Sequence, residues 1–307
     1  MSPEFLHRPV MGREVVELLV PVPGGVVVDA TVGGGGHARL LLEARPDLRI
    51  LGIDRDREAV AAATEALGGY RERVRVLYGR FEELADIVGS QPSEGDIVGI
   101  LFDLGVSSPQ LDRPERGFSY WADAPLDMRM DSAQSLTADQ VVNEYTEDAL
   151  SALIAANGEE RFAGSIAHRI VERRPLRTTG ELVEAIKDGI PARARRRGRH
   201  PARRTFQAIR MEVNRELPAL SAGLDESVHL LVPGGRILVL AYHSLEDRVV
   251  KHKFRAWAGA GPVEGYAPPG LPRPIVSHQP LVRVLTRRPL RPGDGEVAEN
   301  PRAASAR

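Results

Sequence analysis

The chain has 307 residues, a formal net charge of −1, 42% hydrophobic residues and no cysteine. Its apolar content suffices for a sizeable core, whereas disulfides and thiolate zinc sites are excluded, and no metal site is predicted. No apolar run approaches the roughly 18 residues of a membrane span, and residues 1–10 lack a secretory pattern, so we expect a cytoplasmic protein.

The first hundred residues alternate between strand and helix patterns. Strands are predicted at 26–29, 49–53, 74–78 and 97–102, and helices at 13–19, 38–44, 57–67 and 81–88. Alternation of this kind indicates a parallel sheet with helices on both of its faces.

The pattern then changes and later returns. Residues 106–200 contain no strand pattern, and helices are predicted at 138–144, 146–156, 159–173 and 179–190. Beyond them we predict a helical stretch at 206–231 broken near Pro218, a strand at 236–242, a helix opened by a capping box at 244–247, a last strand at 281–286 and a loose tail after Arg288. The sequence thus predicts an α/β fold with a mostly parallel, Rossmann-like sheet domain (1–105 and 205–307) and an all-helical insertion (106–204).

A glycine cluster follows the first predicted strand. The strand ends at Asp29, and four consecutive glycines precede the next helix. Glycines at a strand-to-helix turn let a ligand approach backbone N–H groups. Asp54 ends the second strand, where an acid can hold a ribose. The spacing favours a nucleoside-containing cofactor over a purely structural glycine turn.

Asp29 bears on which cofactor binds. A carboxylate just before the loop repels a pyrophosphate and attracts a cation. S-adenosylmethionine has no phosphate and carries an ammonium and a sulfonium group, so the sequence favours it over NAD. The dinucleotide pattern is not excluded, because Ala38 is permitted in place of its third glycine. A strand-end acid that bonds its own turn remains the structural alternative for Asp29.

A second acid-containing turn follows the fourth strand. Asp103 is followed by Ser107, Ser108 and Pro109, a rigid turn that emerges at the ligand-binding edge of the predicted sheet. Methyl transfer to an exocyclic amine needs fixed oxygen acceptors, because the amino lone pair is delocalised into the ring. These residues are therefore candidate catalytic residues, and a proline turn capped by Asp103 is the alternative.

Six segments together carry a family resemblance. They are TVGGGGH (31–37), DLGVSSPQLD (103–112), RGFS (116–119), PLDMRMD (125–131), TFQA (205–208) and HSLEDR (243–248). With them the chain resembles the bacterial 16S rRNA cytosine-N4 methyltransferase family from His7 into the tail around Ala303. Gly34 departs from this family, where a larger residue is common, and relatives usually continue a little beyond Arg307.

The resemblance implies a class I S-adenosylmethionine fold with a helical insertion and a target cytidine at the ribosomal decoding centre. It implies cofactor contacts at Gly34, Gly35, Gly36, His37, Asp54, Phe81, Asp103 and Gln110. Without the family resemblance, the sequence would indicate a solvated or capping residue at His37 and a core residue at Phe81. His243 follows a strand at the same edge and is a further catalytic candidate facing the target base, whereas Ser244 and Asp247 are assigned to helix capping.

Residues 193–204 contain seven arginines. We expect this segment to contact the phosphates of 16S rRNA, with a solvated face or a contact in a homodimer as alternatives. The leading function is S-adenosylmethionine-dependent methylation of a 16S rRNA cytidine. A DNA amino-methyltransferase, a non-catalytic ribosome-assembly factor that binds the cofactor, and an NAD-linked oxidoreductase follow in that order.

Overall fold

The computed structural model describes residues 9–91, 95–195, 200–259 and 279–307. Two compact units divide the chain: Met1–Gly105 with Leu217–Arg307, and Val106–Glu216. We call them the sheet unit and the helical unit. Within the described ranges, no helix is long and apolar enough to cross a membrane.

The sheet unit is built on five parallel strands. They are β1 (Gly25–Asp29), β2 (Leu48–Asp54), β3 (Val74–Tyr78), β4 (Ile97–Asp103) and β5 (Leu231–Leu240), in the spatial order β3-β2-β1-β4-β5. The central strands are apolar throughout because both faces are covered: Val27 and Leu101 belong to one buried cluster, and Val28 and Phe102 to another. The parallel α/β prediction is confirmed.

The helices of the described residues alternate with these strands at first and then follow one another. They are α1 (Gly12–Leu19), α2 (Gly36–Ala44), α3 (Arg57–Ala66), α4 (Leu84–Gly89), α5 (Ser108–Asp112), α6 (Ala138–Glu144), α7 (Glu147–Gly158), α8 (Ala163–Glu172), α9 (Thr179–Gly189), α10 (Ala192–Arg195), α11 (Arg203–Val213), α12 (Glu216–Leu230), α13 (Ser244–Trp257) and α14 (Asp294–Glu299).

The helical unit runs twelve residues further than the predicted insertion, to Glu216 instead of residue 204. The reason is α11, whose Phe206, Ile209 and Val213 are buried in the same cluster as the α7 and α8 core. Asn214 closes this unit: its buried side chain accepts from the Met130 N–H at 2.8 Å and donates to the Met128 carbonyl at 2.8 Å.

The stretch predicted as one helix at 206–231 is interrupted at Asn214 and Arg215, not near Pro218. Arg215 has φ +50°, which stops α11. Pro218 lies in the first turn of α12, where the missing proline N–H costs no hydrogen bond. The turn glycines Gly234 and Gly235 lie inside β5 as an irregularity, because the pairing of β5 with β4 shifts between Ile97 and Gly99.

Two predictions for the end of the chain are wrong. Residues 281–286 form no strand, and Leu281 is 63% exposed. The tail is ordered: it forms α14, and Ala303 is buried. The backbone of Arg307 exchanges hydrogen bonds of 2.9 and 3.0 Å with Ala241, just beyond β5. Residues 281–286 therefore pair with no strand of the sheet in the described residues, whereas the polar tail pairs with the segment that follows β5.

Candidate active site

Three acids end neighbouring strands of the sheet unit. Asp29 is the last residue of β1, Asp54 of β2 and Asp103 of β4. Because the strands are parallel, their carboxyl ends meet at one edge, where ligands bind in open α/β sheets. This geometry places the three acids as the strand pattern predicted.

The glycine loop between β1 and α2 is tied to this edge by backbone hydrogen bonds. The Gly33 N–H donates to Asp54 Oδ2 at 2.9 Å. Gly33 and Gly35 have φ +52° and +80°, which favour glycine. A Cβ on Gly34 would meet nothing within 4 Å, so the position accommodates glycine as well as a larger residue.

Asp54 is buried at the end of β2. Its two carboxylate oxygens accept the N–H groups of Gly33 and Asp56, each at 2.9 Å. Burial raises the pKa of Asp54 to about 6, against the opposing effect of these hydrogen bonds. Each oxygen retains a further lone pair, so the carboxylate can still accept a hydrogen bond from a ribose hydroxyl.

Asp29 and His37 carry buried polar atoms that lack a hydrogen-bond partner within the described residues, namely Asp29 Oδ2 and His37 Nδ1. Burial raises the pKa of Asp29 to about 7. Burial opposes protonation of His37, but Asp103 and Asp29 together raise its pKa. Unpaired buried polar atoms are costly, so this pair fits a polar, positively charged ligand. The structural alternative for Asp29 also has support, because its Oδ1 accepts from the Thr31 N–H of its own turn at 3.3 Å.

Asp103 is held from three sides. Its N–H donates to Thr31 Oγ1 at 2.6 Å, and its Oδ1 accepts from the Tyr242 hydroxyl at 2.7 Å. Its Oδ2 lies 3.5 Å from His37 Nε2, an ion-pair distance. Burial, followed by the charge of Asp103, raises the pKa of Tyr242 far above its usual value, so the phenol stays a donor. The Asp103 side chain is still 25% exposed and can accept another hydrogen bond.

Two hydrogen-bond partners of Asp103, Thr31 and Tyr242, were not predicted from the sequence. Thr31 lies within a quoted motif, and Tyr242 directly precedes another, so both had a positional signal. Glu296 had no such signal in the sequence, because it belongs to the tail that was predicted to be loose. Its carboxylate accepts from the Met11 N–H at 2.6 Å, and its charge contributes to the raised pKa values of His37 and Tyr242.

His243 is the N-cap residue of α13, which corrects the capping box predicted from Ser244. Its Nδ1 accepts from the Glu246 N–H at 3.4 Å, and its Nε2 lies 3.0 Å from Glu246 Oε1. Glu246 in turn accepts from the N–H groups of Tyr242 and His243. The buried ring therefore has a structural task, and its catalytic role stays a prediction.

Phe81 opens a short 3-10 turn after β3, at the same edge as Asp54. Its ring makes an edge-to-face contact with Phe102, with centroids 5.5 Å apart. The core interpretation of Phe81 thus has direct support. Packing of Phe81 on an adenine remains a prediction. The adenine would have to contact the part of the ring that is still exposed to solvent.

The Ser107–Gln110 turn belongs to the helical unit. Ser107 precedes α5, Pro109 lies in its first turn, and the Ser107 N–H donates to Gln110 Oε1 at 3.0 Å. Helix capping therefore explains Ser107 and the buried Gln110 locally. Their predicted roles in catalysis and cofactor binding, with that of Ser108, stay predictions.

The arginine segment is described only in part. Arg193 and Arg195 lie in α10, and Arg204 lies 3.6 Å from Glu160. Arg196, Arg197 and Arg199 lie outside the described residues.

Comparison with known proteins was decisive for the family. Residues 4–307 match the model of the MraW methylase family. The chain belongs to the MraW methylase family. This membership confirms the resemblance and the prediction of a methyltransferase, and it removes the oxidoreductase alternative.

Relatives in the family match almost end to end. Ribosomal RNA small subunit methyltransferase H of Symbiobacterium thermophilum is 49% identical over 98% of this chain and 95% of its own length. The proteins of the same name from Thermobifida fusca and Geobacter sulfurreducens are 47% and 49% identical, over 100% and 99% of this chain and 93% and 97% of theirs. The matched range therefore includes both the sheet unit and the helical unit.

Proposed function

We propose that this MraW-family methyltransferase transfers a methyl group from S-adenosylmethionine to the N4 amino group of a cytidine in 16S rRNA, at the decoding centre of the small ribosomal subunit in the cytoplasm. The observation that carries the proposal is the fixed acceptor at the sheet edge: Asp103, held by Tyr242 and facing His37. The names of the relatives support the ribosomal RNA substrate.

The cofactor site is proposed from the residues around the glycine loop. The Asp54 carboxylate accepts from the ribose, the loop N–H groups of Gly34, Gly35 and Gly36 line the approach, and the unpaired His37 Nδ1 bonds the carboxylate or the ribose. Phe81 packs on the adenine. When bound, S-adenosylmethionine supplies a methyl group activated by a sulfonium. The buried Asp29 carboxylate favours such a cation over a pyrophosphate.

Asp103 prepares the nucleophile. The cytosine N4 lone pair is delocalised into the ring, and a hydrogen bond from the amino group to a fixed oxygen localises that lone pair and aims it. Asp103 is suited to this task because Tyr242 and Thr31 set its position before substrate arrives. A sulfonium methyl group held there would pass to N4 as the methyl–sulfur bond breaks, the sulfur would leave as a neutral thioether, and the proton that N4 gives up would be released to solvent.

Labelled methyl transfer tests the proposal against its alternatives. Small ribosomal subunits and duplex DNA are offered in parallel with methyl-labelled cofactor. We expect label in cytidine of the subunit RNA and none in DNA. Label in DNA alone would establish the DNA amino-methyltransferase. Cofactor binding with no transfer to any nucleic acid would establish the non-catalytic assembly factor.

The raised pKa of Asp29 predicts a pH dependence of cofactor binding. Asp29, with a pKa of about 7, must ionise to pair with the cation, so affinity rises with pH and binding near neutrality releases a proton. Calorimetry in buffers of different ionisation enthalpy measures that release. Asp29→Asn should reduce the proton release near pH 7 and leave the contributions of His37, whose pKa is also raised, and of Asp54 near pH 6. Asp86→Asn, which changes an exposed acid, is the control. Unchanged proton release in Asp29→Asn would contradict the pairing.

The arginine segment predicts the salt dependence of subunit binding. Replacing Arg195, Arg196 and Arg197 by Gln should leave cofactor affinity unchanged and weaken subunit binding. The slope of log K against log salt should fall by roughly 0.7–0.9 for each lost phosphate contact. Arg13, Arg71 and Arg255, exposed arginines of the sheet unit, give a matched triple control. Equal slopes for variant and parent would mean that the segment is a solvated face or a contact in a homodimer.

A further inference from the structure

Three aromatic rings contact one another on the surface of the helical unit, and we call this group the stack. Tyr120 and His200 lie face to face, with centroids 4.6 Å apart and an interplanar angle of 13°. Trp121 contacts the same imidazole with centroids 4.6 Å apart and a tilted interplanar angle of 58°. Tyr120 also makes an edge-to-face contact with Phe206, a buried core residue, at 5.6 Å. The stack is therefore anchored in the core at one end.

The other end of the stack is open. Trp121 is 77% exposed, more than any other large hydrophobic side chain in the described residues. Burial and the nearby charge of Lys187 lower the pKa of His200, so the imidazole is neutral and aromatic at neutral pH. An exposed indole on a neutral, supported ring offers a flat apolar surface that the fold itself does not use.

The helical unit that carries this stack also carries cationic residues. His200 lies within the arginine segment, between Arg195 and Arg203 in the sequence. A groove of about 550 Å³ is lined by Arg161, Phe162, Pro191, Arg193 and Ala194. Aromatic surfaces interleaved with cationic side chains are the arrangement that binds single-stranded nucleic acid, because bases stack on the rings while the cations hold the phosphates.

We propose that Trp121, supported by the Tyr120–His200 pair, is a stacking platform for an unpaired base of the RNA substrate. Arg161 and Arg193, which line the groove of the same unit, hold the flanking phosphates. This inference rests on the proposed function and deepens it. A base other than the target cytosine stacks on the platform. The enzyme therefore binds single-stranded RNA more tightly than duplex RNA. Because stacking tolerates every base, the platform contributes affinity and register, and it contributes little base specificity.

A single-tryptophan protein gives a direct readout. The chain has two tryptophans, and Trp257 lies on α13 of the sheet unit beside Phe254, so Trp257→Phe leaves Trp121 as the only reporter. We expect a short unstructured oligoribocytidylate to quench its emission, and inorganic polyphosphate of matched charge to bind without quenching. Binding of the oligonucleotide, followed by anisotropy of an end label, with no change in emission would overturn the platform.

Variants of Trp121 then test how much the platform contributes to substrate binding during the reaction. Trp121→Ala should raise the KM for small subunits about 5- to 150-fold, the range expected for one stacked base, with kcat and cofactor affinity unchanged. Trp121→Phe should stay within about threefold of the parent, since a phenyl ring still stacks. Leu281→Ala, which removes another exposed apolar side chain, should change nothing.

The outcomes separate this inference from the proposed function. If Trp121→Ala leaves RNA binding intact and changes the oligomeric state, the surface joins two copies of the chain and the platform is wrong. If the parent quenches with RNA but methylates no cytidine, the platform stands and the proposed reaction fails. If cytidine is methylated and Trp121→Ala matches the parent in KM, the reaction stands and the platform fails.

Discussion

Asp103→Ala should lower the rate of methyl transfer by roughly 10²–10³-fold, the cost expected when a preorganised polar group at a reacting centre is removed. The reason is the position of Asp103: the Tyr242 hydroxyl donates to its carboxylate, Thr31 Oγ1 accepts from its backbone N–H, and a quarter of its side chain remains exposed. The single-turnover rate with saturating cofactor measures the effect on chemistry. Calorimetric cofactor affinity, measured in parallel, separates that effect from weakened binding.

Tyr242→Phe provides the graded control. It removes only the hydroxyl that donates to Asp103 and leaves the ring in place. We expect about a tenfold slower single turnover, in keeping with the loss of one hydrogen bond to a charged group, with cofactor affinity unchanged. Asp86→Ala should match the parent. A normal single-turnover rate in Asp103→Ala would remove this residue from the reaction.

Asp54→Ala should weaken cofactor binding about 5- to 150-fold, corresponding to about 1–3 kcal/mol for buried groups that lose their partner. The ribose loses an acceptor, and the N–H groups of Gly33 and Asp56 lose the carboxylate that orders them. The shift in melting temperature with the demethylated cofactor, and calorimetric affinity, both measure this change.

A 2′-deoxy analogue of the demethylated cofactor separates direct contact from loosening of the loop. In the parent, removal of the 2′-hydroxyl should weaken binding. In Asp54→Ala the two ligands should bind alike, because the hydroxyl no longer has its partner. An equal preference for the ribose form in parent and variant would mean that Asp54 acts only through the glycine loop.

The sequence was sufficient for the features that depend on local patterning. The apolar runs of β1 and β4 are buried on both faces, so they are recognisable as strands without any knowledge of their partners. Because these strands are parallel, the positions of Asp29, Asp54 and Asp103 at one edge follow from the strand ends alone.

Features that depend on contacts between residues far apart in the chain were not predictable from the sequence. The segment at 281–286 has strand-like alternation, yet the place beside Ala241 is taken by Arg307. The helical unit extends to Glu216 because α11 packs on α7 and α6, a contact that periodicity does not reveal. Tyr242 was missed because its role rests on a hydrogen bond to Asp103, 139 positions away in the chain.

The candidate catalytic and cofactor-binding residues differ in what their contacts show. Asp103 has contacts that suit a reacting group, whereas His243 and Gln110 are engaged in capping their own helices. A sequence motif marks such residues as important without stating whether the importance is structural or chemical. His243→Ala should therefore show mainly as a loss of stability, through the cap of α13.

Mass spectrometry of nucleosides from small-subunit rRNA, taken from cells with and without this protein, tests the central claim most directly. The account predicts that N4-methylated cytidine is lost when the protein is absent and returns with the parent chain, but not with Asp103→Ala. N4-methylated cytidine at an unchanged level in cells without the protein would contradict it.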